Sequence, residues 1–297
     1  IVEVRINHVD IKTNIKMIDS SKEDAETSEG DYYFDAVLTD EDNSEVAKYT
    51  IKLSTSSVED IYVEPISLND DFIKGVDISS LESELESGAK YYDYDGNELD
   101  EQGFFNFLAE NGTNWVRIRV WNDPKDSNGN TYGGGDCTLE RAISMGKYAT
   151  NAGLKVLIDF HYSDFFADPS RQNIPVDWLD YDLAQMKQAV ANHTTDVLSA
   201  LKAEGVSPEW IQVGNETRNG MLWPMGQLWD NNGDRPNGWK NYAALTTAGY
   251  DACKAIFPDA AVIVHIDNAY ENNNWFFRKL KQNGGKFDMI GLSHYPM

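Results

Sequence analysis

The chain has 297 residues, enough for one domain of ~250 residues or two smaller ones. With 49 acidic against 25 basic residues it carries a net charge of −24, which repels nucleic acid and anionic lipid alike. No run of ~18 apolar residues is present to span a membrane, and Cys137 and Cys253 make neither a disulfide framework nor a zinc-ligand spacing.

Residues 1–67 read as a small all-β, sandwich-like module. Short β-prone runs at 1–6, 11–18, 32–39, 46–53 and 61–63 are separated by acidic, turn-rich segments. Five strands are few for a closed sandwich, so the module is expected to lack its start. It shows no aromatic ladder, which favours a spacer or packing role over carbohydrate binding. A linker is expected at 65–71, and the second domain is counted from 68 to 297. The chain opens on Ile1, without Met or signal peptide, and is expected to be a processed or trimmed piece.

From Phe72 the rhythm becomes strand, then helix, repeatedly. Strands are predicted at 72–78, 115–120, 155–160, 210–213, 261–266 and 289–293. A helix at 99–111 carries Phe104, Phe105 and Leu108 at helical spacing and stops at Gly112. Thr138 caps a helix running to about 151, and a long helix at 183–203 stops at Gly205. Two more follow at 239–256, ended by Phe257-Pro258, and near 273–282, ended by Gly284-Gly285. Such alternation predicts a parallel sheet with right-handed crossovers. The loops after strands are long, polar and aromatic, whereas those before strands are short, and one functional rim of this kind marks a barrel. A dinucleotide fold lacks its Gly-x-Gly-x-x-Gly here, and Gly133-Gly134-Gly135 has no P-loop lysine after it.

The rim residues suggest chemistry. The run 210–213 ends in Gly214-Asn215-Glu216, followed by Arg218, Asn219 and Trp223, which sets a carboxylate beside an amide, a cation and an indole. Alone, such a Glu reads as a solvated helix-start residue; polar and aromatic residues at five successive strand ends change that reading. Arg117 and Arg119 share a face at period two, and an inward guanidinium needs a carboxylate partner. One of the pair is expected to lie outward along the surface. Trp121 and Asn122 follow them. The segment 159–168 supplies Asp159, His161, Asp164 and Asp168 with three aromatics. Sugar contacts suit it better than a metal, whose helical two-His spacing is missing; a structural histidine is the other reading. His265, Asn268 and Tyr295 complete the rim. Asp126, Asn128 and Asn130 superficially suggest a calcium loop, but the Gly is misplaced and a solvated turn fits better.

Four motif groups then resemble a known family. They are Gly75-Val76-Asp77-Ile78-Ser79, Arg117-Ile118-Arg119-Val120-Trp121-Asn122-Asp123-Pro124, Asp159-Phe160-His161-Tyr162-Ser163-Asp164 with Ala167-Asp168-Pro169, and Val213-Gly214-Asn215-Glu216 with Asn219-Gly220-Met221-Leu222-Trp223-Pro224. Over residues 72–297, though not in the amino-terminal module, the chain resembles the arabinogalactan endo-β-1,4-galactanases, glycoside hydrolase family fifty-three.

The resemblance implies a (β/α)8 TIM barrel, of which about six βα units are present, and a retaining endo-hydrolase of β-1,4-galactan in pectic side chains. It implies Glu216 as acid/base, with Asn215, Arg119 and Tyr295 in support. Substrate contacts are expected at His161, Asp164, Asp168, Trp121, Asn122, Trp223, His265 and Asn268. It implies no required cofactor or metal, no nucleic-acid or membrane partner, a monomer, and an extracellular location suited to a polymer substrate. The family's nucleophile is a Glu ending strand seven, and this chain stops after strand six; Glu271, in the loop after strand five, is not nominated. The missing part is expected beyond Met297. Two alternatives stand: a catalytically silent galactan-binding barrel, or a same-clan endo-glycanase on another β-1,4-glycan.

Overall fold

The computed structural model describes residues 30–39, 45–55, 69 and 72–295. The chain divides into two units, Ile1–Asp70 and Asp71–Met297. In the first, β1 (Gly30–Thr39) and β2 (Glu45–Thr55) form an antiparallel pair running from Gly30 opposite Thr55 to Leu38 opposite Ala47, with a register shift at Thr39. The strands expected at 1–6, 11–18 and 61–63 lie outside the described residues, as does the expected linker apart from Asn69.

The second unit is built on six strands: β3 (Gly75–Asp77), β4 (Trp115–Val120), β5 (Lys155–Phe160), β6 (Trp210–Val213), β7 (Ala261–Ile266) and β8 (Met289–Leu292). They pair in chain order and all in parallel. A doubly wound sheet reverses its strand order partway; this one does not, and the six strands with their helices are part of a (β/α)8 barrel. Strand β3 is shorter than the predicted 72–78. Asn114 explains this: its side chain takes the Lys74 amide at 2.7 Å and donates to the Phe72 carbonyl at 2.8 Å, occupying groups a ladder would use.

The helices are α1 (Leu81–Glu86), α2 (Glu101–Glu110), α3 (Leu139–Asn151), α4 (Leu183–Ala203), α5 (Gly238–Ile256) and α6 (Asn274–Gln282). Helix α1 is an addition to the sequence expectation. Asp100, Thr138 and Asp182 cap the starts of α2, α3 and α4, and Asp182 forms a reciprocal box with Gln185.

Alternation within each strand separates two layers. Val116, Ile118 and Val120, Val156, Ile158 and Phe160, Ile211 and Val213, and Val262, Val264 and Ile266 are buried in one hydrophobic core. Their face meets the helices: Gly249 of α5 lies so near Val213 that a Cβ would sit 2.8 Å from its Cγ1. The alternate residues face the other way. Trp115 and Trp210 meet with ring centroids 4.2 Å apart and planes tilted by 38° near the strand starts, and above them come Arg117, Arg119, Asp159, Gln212 and His265. Period two thus turns a mixed sequence into an apolar outer face and a polar lumen whose charged layer sits at the strand C-termini.

Candidate active site

Register brings the polar layer together. Asp77 pairs with Arg117 across β3 and β4, Arg119 with Asp159 across β4 and β5, and Asp159 with Gln212 across β5 and β6. Arg117 is the hub. One arm donates to Asp77 Oδ2 at 2.8 Å; the other reaches Asp159 Oδ2 at 2.5 Å and Asn215 Oδ1 at 2.8 Å. Asp159 is fully buried and also accepts from Gln212 Nε2 at 2.5 Å and His161 Nε2 at 3.0 Å. Burial alone would raise its pKa; the Arg117 guanidinium and then His161 outweigh that and hold it at about 2. Arg119 lies 3.6 Å from Asp77 Oδ1 with its guanidinium over the Phe166 ring. Both arginines therefore point into the lumen, correcting the expectation that one lies outward.

Asn215 and Glu216 stand just beyond β6. Asn215 is buried, and its amide orientation is fixed from both ends: Oδ1 accepts from Arg117 while Nδ2 donates to the Ala167 carbonyl at 2.7 Å. Its backbone carbonyl accepts from Gln172 Nε2 at 2.8 Å. Glu216 adopts a left-handed backbone (φ 49°), uncommon for a residue with a Cβ and worth ~1 kcal/mol of strain. The next residue holds that turn: Thr217 donates its amide to the His265 carbonyl at 2.8 Å, and its hydroxyl meets Tyr242 at 2.6 Å. Glu216 is 8% exposed. Its Oε1 accepts from the Ser293 hydroxyl and, at 3.3 Å, from the Tyr295 phenol. Among the described residues no donor reaches Oε2. One oxygen is anchored and the other is free to exchange a proton with a ligand.

His265 ties these parts together. Nδ1 lies 3.0 Å from Asn215 Oδ1, 3.2 Å from the Glu216 amide and 3.2 Å from Gln212 Nε2, while Nε2 is 3.0 Å from Ser293 Oγ. Burial pushes its pKa down to about 4, so the ring is neutral at ordinary pH.

The other expected contact residues have partners within the protein. His161 is 1% exposed; its Nδ1 accepts from the Ala167 amide at 2.9 Å, so the ring proton is on Nε2, facing Asp159. It braces the floor and presents no surface to a sugar. Trp121 is likewise 1% exposed, packed against Phe165. Asn122 donates its amide to the Ser163 carbonyl. Asp164 fastens two loops by accepting from the Asp123 amide at 3.0 Å and the Val176 amide at 2.8 Å, and burial raises its pKa. Asp168 closes a turn with Ser170 and Arg171. Trp223 donates its indole N–H to the Asn219 carbonyl at 2.8 Å. Asn268, with a left-handed backbone, accepts from the Tyr270 amide through its side chain. The Asp126 carboxylate is engaged by the amides of Asn128 and Asn130. Glu271 pairs with Arg218 at 2.5 Å.

Sequence reasoning missed Asp77, Gln172, Gln212 and Ser293. Gln212 carried a usable signal, being the one amide in an otherwise apolar strand; Ser293 carried none.

Comparison with known proteins accounts for this arrangement. The model of glycosyl hydrolase family 53 matches residues 73–297. The endo-beta-1,4-galactanase of Bacillus subtilis (strain 168) is 36% identical over 247 residues, covering 82% of this chain and 54% of its own. An arabinogalactan endo-beta-1,4-galactanase of Thermothelomyces thermophilus is 36% identical, covering 75% and 64%. Among solved structures, the family-53 catalytic domain of Ignisphaera aggregans superposes with a TM-score of 0.71 at 39% identity, covering 77% of this chain and 61% of that one. The chain thus spans between about half and two thirds of the length of the relatives it matches. With the match extending from the start of the barrel to the last residue, the chain belongs to glycosyl hydrolase family 53.

Proposed function

We propose that the protein carrying this chain is a retaining endo-glycosidase that hydrolyses β-1,4-galactosidic bonds in galactan and arabinogalactan, with Glu216 as its acid/base. The observation that carries this is the held Glu216 carboxylate at the C-terminal end of β6, anchored at Oε1 and open at Oε2. The galactanase names borne by its relatives supply the sugar.

In this reading Oε2 protonates the departing glycosidic oxygen, and the resulting carboxylate then takes a proton from the attacking water. A second carboxylate about 5 Å away forms and releases the glycosyl-enzyme intermediate. No described residue is assigned to that role. The residues below Glu216 act through position: the Arg117–Asp159–Gln212 layer fixes Asn215, and Asn215 with His265 fixes the turn that aims the carboxyl. Proton transfer by a positioned carboxyl contributes about 100- to 10,000-fold, and carboxyl chemistry of this kind requires no metal or cofactor. A polymer substrate places the protein outside the cell, acting on pectic side chains, and we take it to work as a monomer.

Glu216→Gln in the full-length protein is the test. Galactan hydrolysis should fall at least ~1,000-fold, about the middle of that range, while galactan binding is retained. Undiminished cleavage would remove Glu216 from the reaction; binding without turnover in the unmodified protein would make it a galactan-binding barrel.

A further inference from the structure

The peptide bond that leads into Glu216 is gripped at both of its polar ends. Its carbonyl oxygen, on Asn215, accepts from Gln172 Nε2 at 2.8 Å, and its N–H, on Glu216, donates to His265 Nδ1 at 3.2 Å. The following peptide is held as well, because the Thr217 amide donates to the His265 carbonyl at 2.8 Å. With the peptide planes on either side fixed, the Cα–Cβ bond of Glu216 has one direction. That direction is a strained one, since Glu216 sits in the left-handed region at φ 49°. Releasing either flanking peptide would let the strained residue relax and its side chain tilt.

Gln172 comes from the loop after β5, and its setting is built for donation. The residue is 2% exposed. Nε2 donates to two carbonyls, those of Asn215 at 2.8 Å and Asp168 at 3.1 Å. Oε1 finds no partner among the described residues. Reversing the amide would set Oε1 against both carbonyls, so its orientation is fixed. The Gln172 backbone carbonyl accepts the Trp223 amide at 2.7 Å. One buried residue thus holds the loop after β6 at Asn215 and at Trp223, on either side of Glu216. The turn just before it is itself closed, with Asp168 and Arg171 exchanging backbone hydrogen bonds at 2.8 and 2.9 Å.

We propose that Gln172 is a positioning residue whose side-chain amide clamps the peptide before Glu216 and so aims the acid/base carboxyl from the neighbouring loop. The hold acts on the backbone and is separate from the contact of Arg117 with the Asn215 side chain. It touches no atom of the carboxyl, so it leaves Oε2 open and serves the protonated and ionised forms alike.

The proposal rests on the acid/base reading above, and that reading supplies a test which general damage would not pass. A sugar leaving group needs a proton from Glu216, whereas dinitrophenol departs as a stable anion without one. Gln172→Glu keeps the shape of the side chain and sets an oxygen against both carbonyls; Gln172→Met keeps its length and has no donor. Assays are run on the full-length protein, well below each variant's thermal midpoint. On galactan, kcat/KM should fall about 100-fold in each variant. On dinitrophenyl β-1,4-galactobioside it should stay within about threefold of the parent, as in Glu216→Gln. In the Glu216→Gln background the Gln172 change should lower galactan hydrolysis by less than about threefold more, because the carboxyl it aims is gone. Equal losses on the two substrates would make Gln172 general scaffolding and overturn the proposal, as would losses that multiply in the double variant. Parental galactan activity in Gln172→Met overturns it too. If Glu216→Gln itself loses both substrates alike, the acid/base reading fails, and the double variant still decides whether Gln172 acts through Glu216.

Discussion

Arg117 on β4 and Asn215 beyond β6 meet at 2.8 Å across the intervening strand, beneath the turn that carries Glu216. The contact joins the buried ion network of the lumen to the residue preceding the proposed acid/base. It makes the aim of Glu216 depend on charges several strands away in sequence.

Removing the hub should be costly. Arg117→Ala strands Asp159, which has no solvent exposure and, among the described residues, only the His161 ring left beside it as a potential cation. Breaking a buried pair from one side costs ~3–5 kcal/mol. Arg117→Lys should recover only part of this, because an ammonium lacks the fork that reaches Asp77, Asp159 and Asn215 together. Denaturant unfolding of the full-length protein measures both; a loss below ~1 kcal/mol for Arg117→Ala would contradict the network's role.

The pH dependence of stability has two separate windows. His193 sits among Phe160, Tyr162 and Trp178, and burial holds its pKa at about 4 against an ordinary value near 6.5. Between those values the unfolded chain binds a proton that the native ring refuses. Stability therefore falls as pH drops from about 6.5 to about 4, by up to ~3 kcal/mol for this ring. Asp159 acts lower: its depressed pKa gives stability that is present above ~3.9 and lost as pH falls through about 2. His193→Phe should make the upper window shallower, leaving there the share of the His265 ring, which burial likewise holds at about 4, and should leave the lower window unchanged. Identical slopes between about pH 4 and 6.5 in variant and parent would rule the assignment out.

Backbone approach in the loop after β6 makes another sharp prediction. Gly220 has φ 78°, and a Cβ there would lie 1.8 Å from the Gly226 carbonyl oxygen. Gly233 has φ 109° with nothing within 4 Å. Gly233→Ala should cost only the conformational strain, ~1 kcal/mol. Gly220→Ala must also part the pair Gly220–Gln227 and Met221–Gly226, and should cost on the order of 3 kcal/mol or more. Thermal unfolding of the two variants side by side decides; equal shifts would mean the loop relaxes freely.

The strands were legible because β-branched runs and Gly stops are local signals. Residues 115–120, 155–160, 210–213 and 261–266 matched the structure to the residue. Glu216 was legible for the same reason, as a carboxylate at the end of such a run. The partners of Glu216 were not. Period two placed Arg117 and Arg119 on one face, but which of them reaches Asn215 depends on register with β5 and β6, which no short stretch encodes. His161 looked like a rim ligand because it follows β5 directly. Its burial arises from Ala167 folding back onto Nδ1, a contact set by the loop's path. Ser293 was silent because a hydroxyl gains meaning only from what it lies between.

Asn215 offers the most selective probe of how the lumen aims Glu216. Asn215→Asp keeps Oδ1 for Arg117 but replaces the donor facing the Ala167 carbonyl at 2.7 Å with an acceptor. It also sets a second carboxylate beside the guanidinium that Asp159 already shares. The lost bond should cost ~1–3 kcal/mol of stability, a modest change for a protein of this size. The catalytic effect should be larger. The substituted side chain would rotate away from the Ala167 carbonyl, the Glu216 turn would follow, and a displacement near 1 Å is worth about 100-fold in rate. Measured well below both unfolding midpoints, kcat/KM on galactan should therefore drop by about two orders of magnitude while most molecules remain folded. A variant with parental kcat/KM would show that Glu216 is aimed by Thr217, Ser293 and Tyr295 alone, and that the Arg117–Asn215 contact serves stability only.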